Sequence, residues 1–206
     1  MKKLKSSLLN MVLVLTLITI IAGAALAAVN DVTSVQIEKI NAENLAKGIK
    51  QVMGVDANSN FDYTEDEVEG FTFYKSELGT AVKTTSNGFG GPLEVLVGFD
   101  NEGTIMGYTI LSHSETPGLG AKAQEWFQKG QKGDIVGKNP GQCNFTVSKD
   151  GGDVDAITAS TITSRAFLLA VQNAYDKVYN NQDGTYDKVY NNQDGTTSAT
   201  QKGGQQ

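Results

Sequence analysis

LEVLVGFDNEGTIMGYTILSHS, residues 93–114, decides the fold. Two runs rich in β-branched and aromatic residues, 93–100 and 104–114, flank Asn101-Glu102-Gly103, a polar turn closed by glycine. That arrangement predicts a β-hairpin. Upstream, FTFYKS (71–76) and TAVKTTS (80–86) lie around Leu78-Gly79, and NGFGGP (87–92) makes a glycine turn into the hairpin. Downstream, ETPGLG (115–120) reads as a loop and AKAQEWFQKG (121–130) as a short helix that Gly130 ends. GQCNFTVSKDG (141–151) suggests a further strand and turn. Phe167, Leu168, Val171, Ala174, Tyr175 and Val178 then repeat at helical spacing, predicting a helix from Thr161 to about Tyr179. The class is α+β: a small, mostly antiparallel sheet with helices packed against it.

In front of this body, Leu8 to Val29 carries no charge, and Asn10 is its one strongly polar residue. As a helix, roughly 22 residues span about 33 Å, enough for a hydrocarbon core. Lys2, Lys3 and Lys5 before the span and Asp31 after it predict a cytoplasmic N-terminus (1–7), a transmembrane helix (8–29) and an extracytoplasmic body. A cleaved signal peptide competes, because Ala25-Leu26-Ala27 resembles a cleavage site. The length of the apolar run favours an uncleaved anchor. Residues 31–53 read as an amphipathic stalk helix through Val35, Ile37, Ile40, Leu45, Ile49 and Val52, and the acidic stretch 56–70 as a loop. These divide the chain into stalk and loop (30–70), a folded domain (71–180) and a tail (181–206). The tail contains an oddity: YDKVYNNQDGT occurs at 175–185 and again at 186–196, which reads as a tandem duplication in a tolerated terminal segment.

Composition narrows the chemistry. The 206 residues suit one domain with extensions. With the three N-terminal lysines set aside, 14 basic residues face 23 acidic ones, a net charge of −9. An acidic body without a Lys/Arg cluster argues against a nucleic-acid partner and against lying on anionic lipid. Cys143 and His113 are the sole residues of their types, so an internal disulfide, a Cys-x-x-Cys cluster and a His-rich metal site are all excluded.

Three stretches hold candidate chemistry: SNGFGGPLEVLVGFD (86–100), SHSETPGLGAKAQEWF (112–127) and DAITASTITSRAF (155–167). Each has an ordinary explanation. The first is a turn feeding a hairpin, and Pro117-Gly118 is a common turn dipeptide. The hydroxyls of the third can be helix caps. His113 can be a structural hydrogen-bonder and Glu115 a solvated loop acid.

Taken together, in this order and behind one membrane span, the three stretches resemble the G subunit of the Rnf (Rsx) ion-translocating electron-transport complex. They are also similar to the C subunit of the sodium-pumping NADH:quinone reductase. The resemblance covers roughly residues 1–180. It implies an FMN-binding domain whose FMN is joined to a threonine by a phosphodiester, made by a separate flavin transferase from FAD. On the family's D-x-x-[ST]-x-x-T pattern, Asp155 is the leading acid, Thr158 the hydroxyl and Thr161 the modified residue, with Ser160 and Thr163 offering neighbouring hydroxyls and Thr163 the alternative site. The usual family form has Gly-Ala before that threonine; here Ala159-Ser160 stands there. The resemblance also implies that Glu115, Thr116, Gly118, Leu119 and Gly120, with His113 nearby, pack on the isoalloxazine, and that Gly90, Gly91 and Pro92 shape one wall.

A phosphodiester is an anion, and the first turn of a helix favours negative charge. Threonine has no special nucleophilicity and no histidine lies close in sequence, so an external transferase is chemically reasonable. The implied function is a membrane-anchored electron-transfer subunit, with membrane and iron–sulfur or flavin subunits as partners, in a complex coupling ferredoxin oxidation and NAD reduction to ion export. The competing readings are a stand-alone extracytoplasmic flavin reductase and a non-redox membrane-anchored binding protein.

Overall fold

The computed structural model describes residues 8–57 and 59–180. Helix α1 (Leu8–Val52) is one uninterrupted helix of 45 residues, about 68 Å long. It is the one helix among the described residues long and apolar enough to cross a membrane. Its end is closed by Gly54 at φ 65°, where Gly54 N–H donates to the Gln51 carbonyl and Val55 N–H to the Lys50 carbonyl. That pair of bonds satisfies carbonyls the last turn would otherwise leave open.

Five strands follow: β1 (Thr64–Val68), β2 (Phe71–Ser76), β3 (Gly79–Asn87), β4 (Pro92–Asp100) and β5 (Ile105–His113). They form an antiparallel meander in the order β1-β2-β3-β4-β5. The hairpin read from 93–114 is β4–β5, with Val97 opposite Tyr108. The loop expected over 56–70 is corrected in part. Thr64–Val68 is an edge strand, every residue exposed, paired with β2 from Thr64–Lys75 to Val68–Phe71.

Both faces of the sheet are covered, which explains the near-continuous apolar run in β4. Val95, Val97 and Phe99 face α3 (Thr161–Tyr175), together with Phe73, Val82 and Tyr108. Leu96 faces the other way and joins Tyr74 and Ala81 against Ile49, Val52 and Met53 from the end of α1. There the helix seats on glycine: a Cβ at Gly98 would lie 2.4 Å from the Val52 carbonyl oxygen. The amphipathic face expected along 31–53 is therefore used only from Leu45 onward; Ile37 and Ile40 stay exposed.

In the α3 layer, Phe167 lies between Tyr108 and Phe127, with ring centroids 4.7 and 4.4 Å away. Removing such a buried ring costs about 3–5 kcal/mol. The short helix expected over 121–130 is a 3-10 turn (Gly120–Lys122) running into α2 (Ala123–Trp126), and Gly130 follows at φ 81°. The strand expected within 141–151 is corrected. The segment is a loop with one isolated parallel bridge, Val147–Val154, and a 3-10 turn, Ser148–Asp150. α3 ends in a π-helical turn, Asp176–Asn180. The expectations for residues 1–7 and 181–206 lie outside the described residues.

Candidate functional site

The three stretches meet at the carboxylate of Glu115, which is buried. Its Oε1 accepts from Gly90 N–H at 3.2 Å, and its Oε2 accepts from the Thr163 hydroxyl at 2.8 Å. Its own N–H donates to Nδ1 of His113 at 3.3 Å. Glycines make the approach possible. A Cβ on Gly88 would lie 2.0 Å from Glu115 Oε1, and one on Gly120 2.3 Å from Oε2. A third, on Gly90, would lie 2.1 Å from the Ser114 carbonyl oxygen. One acid thus ties the β3–β4 turn, the 115–120 loop and the start of α3 together.

The hydroxyls of the third stretch divide by role. Ser160 occupies the N-cap of α3, but its side chain makes no capping bond. The first helical bond runs from Ser164 N–H to the Ser160 carbonyl. Thr163 is buried and engaged with Glu115. Ser164, also buried, accepts from Ile157 N–H at 2.9 Å and donates to the Ser160 carbonyl at 3.0 Å. Thr161, at the first helical position and half-buried, faces outward, and its oxygen accepts from Lys149 Nζ at 3.2 Å. Thr158 is exposed. Ala159 adopts φ 62°, a left-handed conformation where glycine is at ease and alanine is not.

Asp155 reaches back to the 148–150 turn. Its Oδ1 accepts from the Ser148 hydroxyl at 3.0 Å, and its carbonyl accepts from Trp126 Nε1 at 2.8 Å. On the other flank of the turn, both oxygens of Asp150 accept from Arg165 at 2.7 Å. The hydrogen bond from Arg165 holds the Asp150 carboxyl below its ordinary range, and Asp150 raises the guanidinium in return.

Of the predicted residues, Glu115, Gly90, Gly120 and Thr163 are brought into contact, with His113 bonded beside them. The Thr116 carbonyl accepts from Leu119 and Ala121 N–H, folding its loop, and Gly118 (φ 76°) and Gly91 (φ 140°) take backbone angles suited to glycine. Asp155 is bonded to the 148–150 turn and to Trp126 rather than to this cluster, and Thr158 stays outside it. Sequence reasoning missed Lys149, which sits in what read as an ordinary turn. Chemically, the outer surface offers a hydroxyl at a helix start, an ammonium against it and uncapped first-turn amides. This is a donor set for an anion. The same three stretches expose apolar side chains, one from each: Phe89 (70%), Leu119 (42%) and Ile162 (51%).

The FMN-binding domain family matches residues 88–176. The chain is 33% identical over 179 residues to the G subunit of the ion-translocating oxidoreductase complex of Cereibacter sphaeroides strain ATCC 17029, covering 80% of this chain and 81% of that one. It is 41% identical over 100 residues to the protein of the same name from Vibrio parahaemolyticus, 47% of each chain. Among solved structures, the C subunit of the Na(+)-translocating NADH-quinone reductase of Parabacteroides distasonis is similar at TM-score 0.45 and 18% identity, over 72% of this chain and 97% of that one. With an FMN-binding domain that takes in the meeting points of the three stretches at Gly90, Glu115 and Thr163, and this identity over four-fifths of its length, the chain belongs to the family of G subunits of ion-translocating oxidoreductase complexes.

Proposed function

We infer that the chain is the FMN-bearing, membrane-anchored electron-transfer subunit of an ion-translocating oxidoreductase complex. Family membership and the FMN-binding domain support that role. In our reading FMN is joined by a phosphodiester to Thr161, a flavin transferase makes the bond, and the domain lies on the extracytoplasmic side of the inner membrane. The partners are the membrane and iron–sulfur or flavin subunits that link ferredoxin and NAD. The flavin domain on this reading begins at Thr64, since β1 belongs to its sheet.

The single observation carrying the choice of residue is the opposite placement of the two candidate threonines. Thr163 points inward to Glu115, whereas Thr161 faces outward against Lys149. The residues fit the group. Uncapped first-turn amides and Lys149 suit a phosphate, and the exposed side chains of Phe89, Leu119 and Ile162 suit the flat apolar face of a flavin. FMN supplies the redox chemistry when bound. The protein holds the ring and excludes water through Leu119 and the glycine-lined loops. Glu115 keeps those loops together.

The test uses the detergent-solubilised full chain co-expressed with a flavin transferase. Ultraviolet fluorescence of the denatured band reports covalent flavin. Fragmentation of the tryptic peptide 150–165 assigns the residue. Fluorescence on Thr161, lost in Thr161→Val and kept in Thr163→Val, is the expected result. Flavin on Thr163 would move the site. A dark band from chain exposed to an active transferase would end the covalent reading, and absence of any bound flavin would end the flavoprotein reading.

A further inference from the structure

We propose that Lys149 is the counter-charge for the phosphodiester on Thr161, presented by a turn built to hold it there. The proposal rests on the attachment at Thr161 inferred above.

The turn Ser148–Asp150 is pinned on both flanks. Ser148 is bonded to Asp155, and Asp150 is clamped bidentately by Arg165, one helical turn beyond Thr161. Its base is fixed by the Val147–Val154 bridge and by Ser148 N–H donating to the Val154 carbonyl. Close packing also fixes Gly152, where a Cβ would lie 2.1 Å from the Thr146 carbonyl oxygen. Between the two pins Lys149 extends to Thr161, Nζ to Oγ1 at 3.2 Å.

An exposed ammonium gains little from a neutral hydroxyl, because water serves it as well. The arrangement makes chemical sense once that oxygen carries an anion, since bonds between an ammonium and a phosphate are charge-assisted and strong. The neighbouring charges are already engaged: Arg165 with Asp150, and Asp155 with Ser148. Lys149 makes no ion pair among the described residues. Asp155, on this geometry, acts as a positioning residue for the turn.

In the transfer, Thr161 Oγ1 bonds to the flavin-side phosphorus of FAD. The bond from that phosphorus to the adenylate oxygen breaks, adenylate leaves with the electron pair, and the hydroxyl proton passes to a base of the transferase. The Lys149 ammonium offsets negative charge on the phosphoryl oxygens and remains bonded to the product.

The test starts from full chain made without transferase, then incubated with transferase and FAD. The readout is the initial rate of fluorescent labelling on denaturing gels. Lys149→Gln is expected to slow labelling about tenfold, the scale of a lost charge-assisted bond, and Lys149→Arg to recover most of it. The ratio of wild-type to Lys149→Gln rates should shrink as salt is raised, because an exposed charge is screened. The melting temperature of the unlabelled chain should not move. Labelling of Lys149→Gln at the wild-type rate, with the wild type shown to carry flavin on Thr161, overturns the proposal and leaves the attachment intact. Flavin elsewhere than Thr161 in the wild type overturns both. A slow Lys149→Gln whose deficit ignores salt and is not recovered by arginine also overturns it.

Discussion

Glu115 and Thr163, 48 residues apart in the chain, meet in a buried hydrogen bond of 2.8 Å. The contact joins the 115–120 loop to the first turn of α3. Thr163→Val removes the donor and leaves a buried carboxylate oxygen without it, at a cost of about 1–3 kcal/mol. Urea denaturation of the full chain in detergent should show a lowered midpoint. Thr163→Ser should lie within about 1 kcal/mol of wild type, because the hydroxyl is retained. An unchanged midpoint in Thr163→Val would mean that Glu115 does not depend on this bond.

Gly120 and Gly118 sit two residues apart in one loop and should respond differently. Gly120→Ala drives a methyl to 2.3 Å from Glu115 Oε2 and 2.8 Å from Thr163 Oγ1, so the clasp must open. Gly118→Ala meets nothing within 4 Å and pays only for its φ of 76°. About 1–2 kcal/mol is expected at Gly118, and more at Gly120. Equal losses in thermal melts would contradict the crowding at the carboxylate.

Ala159 occupies a left-handed position next to the proposed attachment site. Ala159→Gly relieves the strain of the methyl group while giving the unfolded chain more freedom. The expected net gain is about 0.5–1 kcal/mol. A lowered melting temperature in that variant would show that the methyl makes a compensating contact.

Asp150 links pH to the turn that carries Lys149. Its folded carboxyl titrates below the ordinary value because Arg165 stabilises the charged form. The contribution is therefore fully present above about pH 4, the ordinary carboxylate range, and is lost as pH falls through the lowered folded value. The pair is exposed by about two-fifths on each side, so no more than about 1 kcal/mol is involved. Urea midpoints of wild type and Asp150→Asn should differ at pH 6 and converge toward pH 2. Parallel curves across that range would remove the ion pair from the account.

The sheet was legible because β2 to β5 combine β-branched residues with glycine-marked turns, and α3 because its apolar residues recur at helical spacing. β1 was not. Thr64, Glu65, Asp66, Glu67 and Val68 offer no buried face, and their strand conformation comes from pairing with β2, a tertiary effect. The reverse error arose at 141–151, where Phe145, Thr146 and Val147 look like a strand. Asp153 instead accepts from Asn144 N–H, and Gly152 packs on Thr146, folding the segment into a loop. The convergence of three stretches could be suspected from their order, but the acid that joins them could not. The helix-cap reading of the hydroxyls fails in detail, since Thr163 and Ser164 turn inward and Ser160 makes no capping bond. Nothing local marks Lys149, because its relation to Thr161 passes through the pins on Ser148 and Asp150.

Helix α1 runs without a break from its apolar half to the glycine seat under Val52. From Asn30 to Val52 that is roughly 34 Å of helix beyond the apolar segment. A flexible tether would let its load wander through a volume and meet partners by diffusion. A continuous rod clamped at its far end restricts the load to an arc about the base of the rod, at nearly constant radius. On the proposed function, electron donors and acceptors are reached along that arc, and a glycine pair inserted near Ile37 would turn the crane into a leash.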